Sequence, residues 1–97
     1  MRQVMVRYKV RPECAAENEQ LVRAVYEELH DAAPDGFRYA TFRLDDGVTF
    51  VHFSLGDGPS PLGDLEAFRR FQANIAERCD EPPVLSELRQ VGSYRLV

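Results

Sequence analysis

His52 is the side chain most suited to chemistry, standing mid-run in Thr49-Phe50-Val51-His52-Phe53. An imidazole titrates near neutrality, so it can take a proton from a ligand hydroxyl and return it. The same residue serves equally well as a core histidine bonded to a neighbour, and no Asp or Glu stands at a spacing that marks an orienting partner. Tyr8, Tyr39 and Tyr94 fall in strand-like runs and could offer phenolic hydroxyls to a bound ring. A buried tyrosine otherwise packs its ring and satisfies its hydroxyl locally. Phe50 and Phe68 would supply apolar walls for a ligand, and Asn74, with Gln72, an amide from a helix. Arg38 and Arg43 either steer an anion or face solvent, while His30 beside Asp31 suits the negative end of a helix.

Other chemistries find no footing. Two histidines far apart, with no paired-His spacing and no Cys pair, give no metal-ligand cluster. Cys14 and Cys79 are separated and read as reduced, partly buried side chains. There is no Gly-x-Ser-x-Gly elbow, and Gly56-Asp57-Gly58-Pro59 lacks the lysine of a phosphate loop, so neither a nucleotide nor any other cofactor is expected. A net charge of −4 and arginines scattered among carboxylates argue against nucleic acid; the adjacent pair Arg69-Arg70 reads as a solvated helix face. No apolar run approaches the ~18 residues that span a bilayer. Met1-Arg2-Gln3-Val4 leads straight into strand-like sequence without the apolar core of a signal peptide, so a cytoplasmic address is expected.

The elements that must hold these residues are legible from periodicity. Val4, Val6, Tyr8 and Val10 alternate with Met5, Arg7 and Lys9, a strand with one dry face that Arg11-Pro12-Glu13 stops. From Cys14 to about Ala33 the period becomes helical, with Leu21, Val22, Val25 and Leu29 on one stripe that Asn18 extends. Pro34-Asp35-Gly36 breaks it. Two β-rich runs then flank Asp45-Asp46-Gly47, predicting a hairpin. A two-residue Asp46-Gly47 turn pairs Asp45 with Val48 and puts Phe37, Tyr39, Thr41, Phe50, His52 and Ser54 on one face. Ala40, Phe42, Leu44, Val51, Phe53 and Leu55 then share the other, wholly apolar face, which favours this register over a three-residue turn.

A second helix is expected from Ser60 or Asp64 through Leu65, Phe68, Phe71 and Ile75 to Cys79, closed by Asp80-Glu81-Pro82-Pro83. A last strand is expected within Val84–Val97, bent at Gly92. The 97 residues thus make a single α+β domain, a ferredoxin-like βαββαβ fold with a four-stranded antiparallel sheet and both helices on one side. An aromatic-bearing sheet face seldom stays in water, so a homodimer packed sheet to sheet is expected.

The chain resembles the antibiotic biosynthesis monooxygenase-like family of dimeric α+β barrels. The likeness lies in VMVRYKVRPE, in DGFRYATFR, in VTFVHFSL, in LEAFRRFQ and in the closing segment. The resemblance implies cofactor-free oxygenation of polyphenols, haem degradation or signal-molecule handling, or a binding role. Haem-degrading members carry an Asn on the first strand, a Trp after the third and a haem-ligating His on the second helix. This chain has no Trp, Gly56-Asp57-Gly58 after the third strand and no His on the second helix, so haem cleavage is not expected. The absent Trp also sets it apart from the polyphenol oxygenase pattern. The leading expectation is a cofactor-independent monooxygenase-like protein acting on or binding a small aromatic or apolar metabolite, with His52 and a tyrosine handling protons. The alternative is a non-catalytic dimeric ligand-binding or accessory protein of the same fold; an isomerase-like role on a small acid is suggested only by the fold.

Overall fold

The first strand, β1 (Arg2–Val10), follows the expected alternation, with Tyr8 and Val10 turned fully inward. These positions come from a computed structural model that describes residues 2–96. Pro12 opens a single 3₁₀ turn, after which α1 (Ala15–Ala32) buries Asn18, Val22 and Val25 along the predicted stripe. The helix stops at Ala33, left-handed at φ 44°, whose amide bonds the Leu29 carbonyl at 2.7 Å.

The hairpin of β2 (Phe37–Arg43) and β3 (Thr49–Gly56) has the expected register, with Thr41 opposite His52 and Phe42 opposite Val51. Its turn differs from the two-residue Asp46-Gly47 closure. Leu44 donates its amide to the Thr49 carbonyl at 2.9 Å, leaving residues 45–48 as the loop, with Gly47 at φ 78°. Asp46 explains the longer closure. Its carboxylate accepts the Val48 and Thr49 amides, each at 2.9 Å, and the Thr49 hydroxyl at 2.6 Å. Those bonds, that from the Thr49 hydroxyl foremost, lower its carboxyl to about 2.

The second half of the chain corrects the expected boundaries. Ser60 does cap a turn, its hydroxyl accepting the Leu62 amide at 3.3 Å, but this is the short 3₁₀ stretch Pro61–Asp64. The helix proper, α2 (Glu66–Gln72), starts behind Leu65, which has no side-chain acceptor. Glu28 of α1 supplies the cap from outside, its carboxylate taking the Ala67 amide at 2.8 Å and the Glu66 amide at 3.2 Å. The expected continuous helix to Cys79 is broken at Asn74, left-handed at φ 62°, before one further turn, α3 (Ile75–Arg78).

The last strand, β4 (Cys79–Glu87), begins at the residue where the helix is expected to end and runs through the expected Asp80–Pro83 closure, Pro82 and Pro83 included. The sheet order β2-β3-β1-β4 places β4 at an edge, where a proline without an amide hydrogen is tolerated. Pairing with β1 is irregular near Lys9. Beyond Leu88, whose amide bonds Gln3, the expected strand through Gly92 and Tyr94 is absent, and Tyr94 is exposed; Val97 lies outside the described residues.

All pairings are antiparallel, so the architecture is α+β and ferredoxin-like. The core lies between the helices and one sheet face, where Tyr8, Val10, Val25, Phe50 and Phe71 meet. The opposite face carries Phe42 and Val84, 57% and 60% exposed. Among the described residues no helix is long and apolar enough to cross a membrane.

Candidate functional site

Strand register assembles the site. His52 is flanked by Val6 of β1 and Thr41 of β2, and one pleat away on the same face lie Tyr8 and Tyr39. The Tyr8 hydroxyl lies 2.8 Å from His52 Nε2, the Tyr39 hydroxyl 2.7 Å from Nδ1, and Thr41 Oγ1 2.9 Å from the same nitrogen. Tyr26 of α1 bonds Thr41 in turn at 2.7 Å. Burial disfavours charge on every member: it lowers His52 to about 4 and pushes the Tyr8 and Tyr39 phenols above their ordinary range. At neutral pH the imidazole is therefore uncharged.

A second polar layer stands behind Tyr8. Asn18, fully buried on α1, donates from Nδ2 to the Tyr8 hydroxyl at 2.9 Å and accepts from Arg78 Nε at 3.3 Å. Arg78 is 6% exposed and has no carboxylate partner among the described residues. Its guanidinium instead donates to the Phe71 carbonyl at 2.6 Å and the Ala73 carbonyl at 3.0 Å, with its centre 5.6 Å from the Phe71 ring. These carbonyls belong to the end of α2, so Arg78 caps the helix whose break its own turn follows. No buried side-chain polar atom among the described residues is left unpartnered.

In front of this network opens a cleft of about 620 Å³ between β1, β3 and α2. Val4, Val6, Phe68 and Phe71 form apolar wall, while Tyr8, Tyr39 and His52 supply its polar patch. Arg2, Asp35 and Asp57 stand around it. A smaller cavity of about 240 Å³ shares Phe37 and Tyr39 and runs under the end of α1.

Of the residues singled out from sequence, the fold brings His52, Tyr8, Tyr39 and Phe68 to this cleft. Phe50 does not line it; its ring stacks on Tyr8 at 5.6 Å in the core. Asn74 is likewise absent from the wall, although its neighbours Gln72 and Ile75 contribute to it, because its left-handed backbone makes the break in the helix. Tyr94 is exposed outside any strand and does not line the cleft, and Arg43 is held by Glu19 at 3.1 Å and the Gly47 carbonyl at 2.8 Å. Both ring nitrogens of His52 are already bonded inside the protein, so a ligand meets the imidazole through a tyrosine.

The sequence places Thr41 on the His52 face without a role, gives no sign of Tyr26 or Arg78, and shows Asn18 only as part of an apolar stripe. An amide at a core position of a helix was the available signal for Asn18. Arg78 carried none, since its role depends on a helix break that periodicity did not reveal. Among the described residues no cluster of His, Cys, Asp or Glu could hold a metal ion.

No protein-family profile matches the chain, and no curated protein matches it. Solved structures do. Rv0793 from Mycobacterium tuberculosis superposes with a TM-score of 0.74 at 21% identity, over 95% of this chain and 96% of that one. A protein described as an antibiotic biosynthesis monooxygenase gives 0.70 at 17% identity, over 95% and 100% of the two chains. SnoaB, described as a cofactor-independent oxygenase from Streptomyces nogalater, gives 0.62 at 17% identity, over 92% and 93%. At such identities the likeness is one of fold, and the fold this chain has is that of the antibiotic biosynthesis monooxygenase structures.

Proposed function

We propose that the protein is a monooxygenase-like enzyme that binds a small hydroxylated aromatic in the cleft and oxidises it with dioxygen, without metal, flavin or haem. The observation that carries this reading is the polar patch of Tyr39, His52 and Tyr8 set into an otherwise apolar cleft of ring-holding size. Phe68 and Phe71 face the ring, and Tyr39 is the polar group through which the ligand oxygen meets His52. An electron-rich aromatic anion can pass electrons to dioxygen directly. In balanced form a phenol becomes a quinone: the ring C–H carbon conjugated with the hydroxyl becomes C=O and the phenolic C–OH becomes the second C=O. One oxygen atom of dioxygen enters the product and the other leaves as water with the displaced C–H and O–H hydrogens. The fold shared with a cofactor-independent oxygenase supports the reading.

The test is oxygen uptake with a panel of dihydroxyaromatics, run aerobically and anaerobically. One dioxygen consumed per ligand, and at least tenfold slower uptake in Tyr39→Phe, is the expected result. Ligand binding with no uptake by any of the panel would sink the oxidation.

A specific observation favours a second reading, ligand binding without turnover. His52 has both nitrogens engaged by hydroxyls and, among the described residues, no carboxylate bonded to it to raise its basicity. In either case the molecule works as a homodimer, joined through the sheet face that bears Phe42, Phe53 and Val84. Sedimentation at micromolar concentration should find twice the chain mass, and a stable monomer would remove the dimer.

A further inference from the structure

The hydrogen bonds behind the cleft run in a line with a fixed direction, and that direction determines what the cleft presents to a ligand. A guanidinium only donates, so Arg78 fixes Asn18 with its carbonyl oxygen inward and its amide hydrogens toward Tyr8. The Tyr8 oxygen therefore accepts from Asn18. Its own hydrogen then has one neighbouring acceptor in the protein, His52 Nε2 at 2.8 Å, and only 2% of Tyr8 is exposed at the cleft wall it lines. Were Nε2 to carry the proton, Tyr8 would accept twice and leave its hydroxyl hydrogen unbonded in the core, which folded proteins avoid.

With Nε2 as acceptor, the neutral imidazole carries its hydrogen on Nδ1. That hydrogen points at Tyr39 and Thr41, at 2.7 and 2.9 Å. Tyr39 accepts from His52; Thr41, its other hydroxyl neighbour, already takes the Tyr26 hydroxyl at 2.7 Å and shares the Nδ1 hydrogen, which leaves the Tyr39 hydrogen for the cleft that its ring lines. Every donor from Arg78 to Tyr39 thus faces outward. We infer that this line makes the cleft a donor site, which takes the ligand by an oxygen acceptor, a phenolate or a conjugated carbonyl, in preference to a neutral phenol hydroxyl.

In this arrangement Tyr39 touches the ligand, while Asn18 and Arg78 are positioning residues that act through Tyr8 and His52. The inference rests on the cleft being the ligand site, and it deepens that proposal by naming the ligand's ionic form. It assigns His52 the task of transmitting a donor rather than drawing a proton from the ligand. Burial of the imidazole, which keeps it uncharged at neutral pH, agrees with that task.

Asn18→Asp is the discriminating variant, because it changes almost no volume and gives Arg78 an acid to pair with. The carboxylate accepts from both neighbours, so Tyr8 turns its hydrogen to position 18, Nε2 becomes the donor, and Tyr39 points its hydrogen inward. Two measurements read this. The ring ¹⁵N shifts of His52 should show hydrogen on Nδ1 in the wild type and on Nε2 in the variant, with no ligand needed. With 4-nitrophenol as probe, whose phenolate is recognised by its colour, the wild type should bind the anion on the order of tenfold more tightly than the neutral form. Asn18→Asp should abolish or invert that preference, and Tyr39→Phe should abolish it without inverting it.

Hydrogen on Nε2 in the wild type, or a folded Asn18→Asp protein with unchanged tautomer and preference, overturns the inference. If Asn18→Asp fails to fold, the wild-type tautomer and the Tyr39→Phe preference still decide it. Anion preference without oxygen uptake would remove the oxidation while leaving the donor site standing. Failure to bind the probe in either form would count against the cleft itself and against both.

Discussion

The two faces of one sheet solve opposite problems with the same backbone. On the helix side, polar groups of Tyr8, His52 and Asn18 are buried, Thr41 is half-buried, and every one is bonded. On the other side, Phe42 and Val84 are more than half exposed. The first face is specific because a single unpaired group there is costly. The second sets its apolar groups beside Arg7 and Lys9, which water satisfies, and its apolar part gains by being covered. The proposed ligand site thus lies on the face where hydrogen-bond geometry leaves no freedom, and the proposed dimer seam on the face where it does.

The sharpest break of this comparison is a pair of like substitutions. Phe50→Ala removes a ring packed between Tyr8 and the helices and should cost about 3–5 kcal/mol in urea unfolding. Phe42→Ala on the open face should cost under ~1 kcal/mol of chain stability, but should weaken the dimer in sedimentation. Equal effects on both faces would show that the exposed side is no less organised than the covered one.

The next effect is a pH dependence confined to the covered face. His52 folds neutral, lowered by burial to about 4 from an ordinary value of 6.5, so the unfolded chain binds a proton that the folded chain refuses. The stability it contributes is complete above 6.5 and is lost as pH falls toward 4. Over that window urea midpoints should drop by the equivalent of about 3 kcal/mol. His52→Gln, which titrates nowhere in the range, should flatten this limb; a limb that persists would place its origin elsewhere.

How much of this could be read in advance also divides along the molecule. The strands that bear the site were legible because alternation assigns faces: one register put Tyr39, Thr41 and His52 together, and that register is the one formed. The stretch from Asn74 to Leu88 was not. Its helix break depends on a left-handed Asn74 and on Arg78 folding back onto the Phe71 and Ala73 carbonyls, contacts between residues of no periodic pattern. Pro82 and Pro83 read as breakers because their edge position becomes known only once the strand order is. The cap on α2 was hidden for a similar reason, since Glu28 lies thirty-eight residues before Glu66. Periodicity therefore found the faces, while the long-range polar bonds that make one face a site remained out of its reach.

The smallest effect tests whether the loop or the faces hold the register. Asp46 accepts the Thr49 hydroxyl and the Val48 and Thr49 amides, and those bonds, the hydroxyl's foremost, hold its carboxyl at about 2, below an ordinary 3.8. Its contribution is therefore present above 3.8 and disappears as pH falls toward 2, a window separate from that of His52. Asp46→Ala should remove this lower limb and lower the midpoint at neutral pH by less than the substitutions above, leaving the His52 limb in place. It should not shift the strands. A one-residue slip of β2 against β3 would turn Phe42 under the helices and send Tyr39 and Thr41 to the open face, stripping His52 of both partners at Nδ1. Backbone NOEs across the Thr41–His52 pair should therefore survive in Asp46→Ala. Their loss would mean that the turn, rather than the chemistry of the two faces, decides which side chains meet in the cleft.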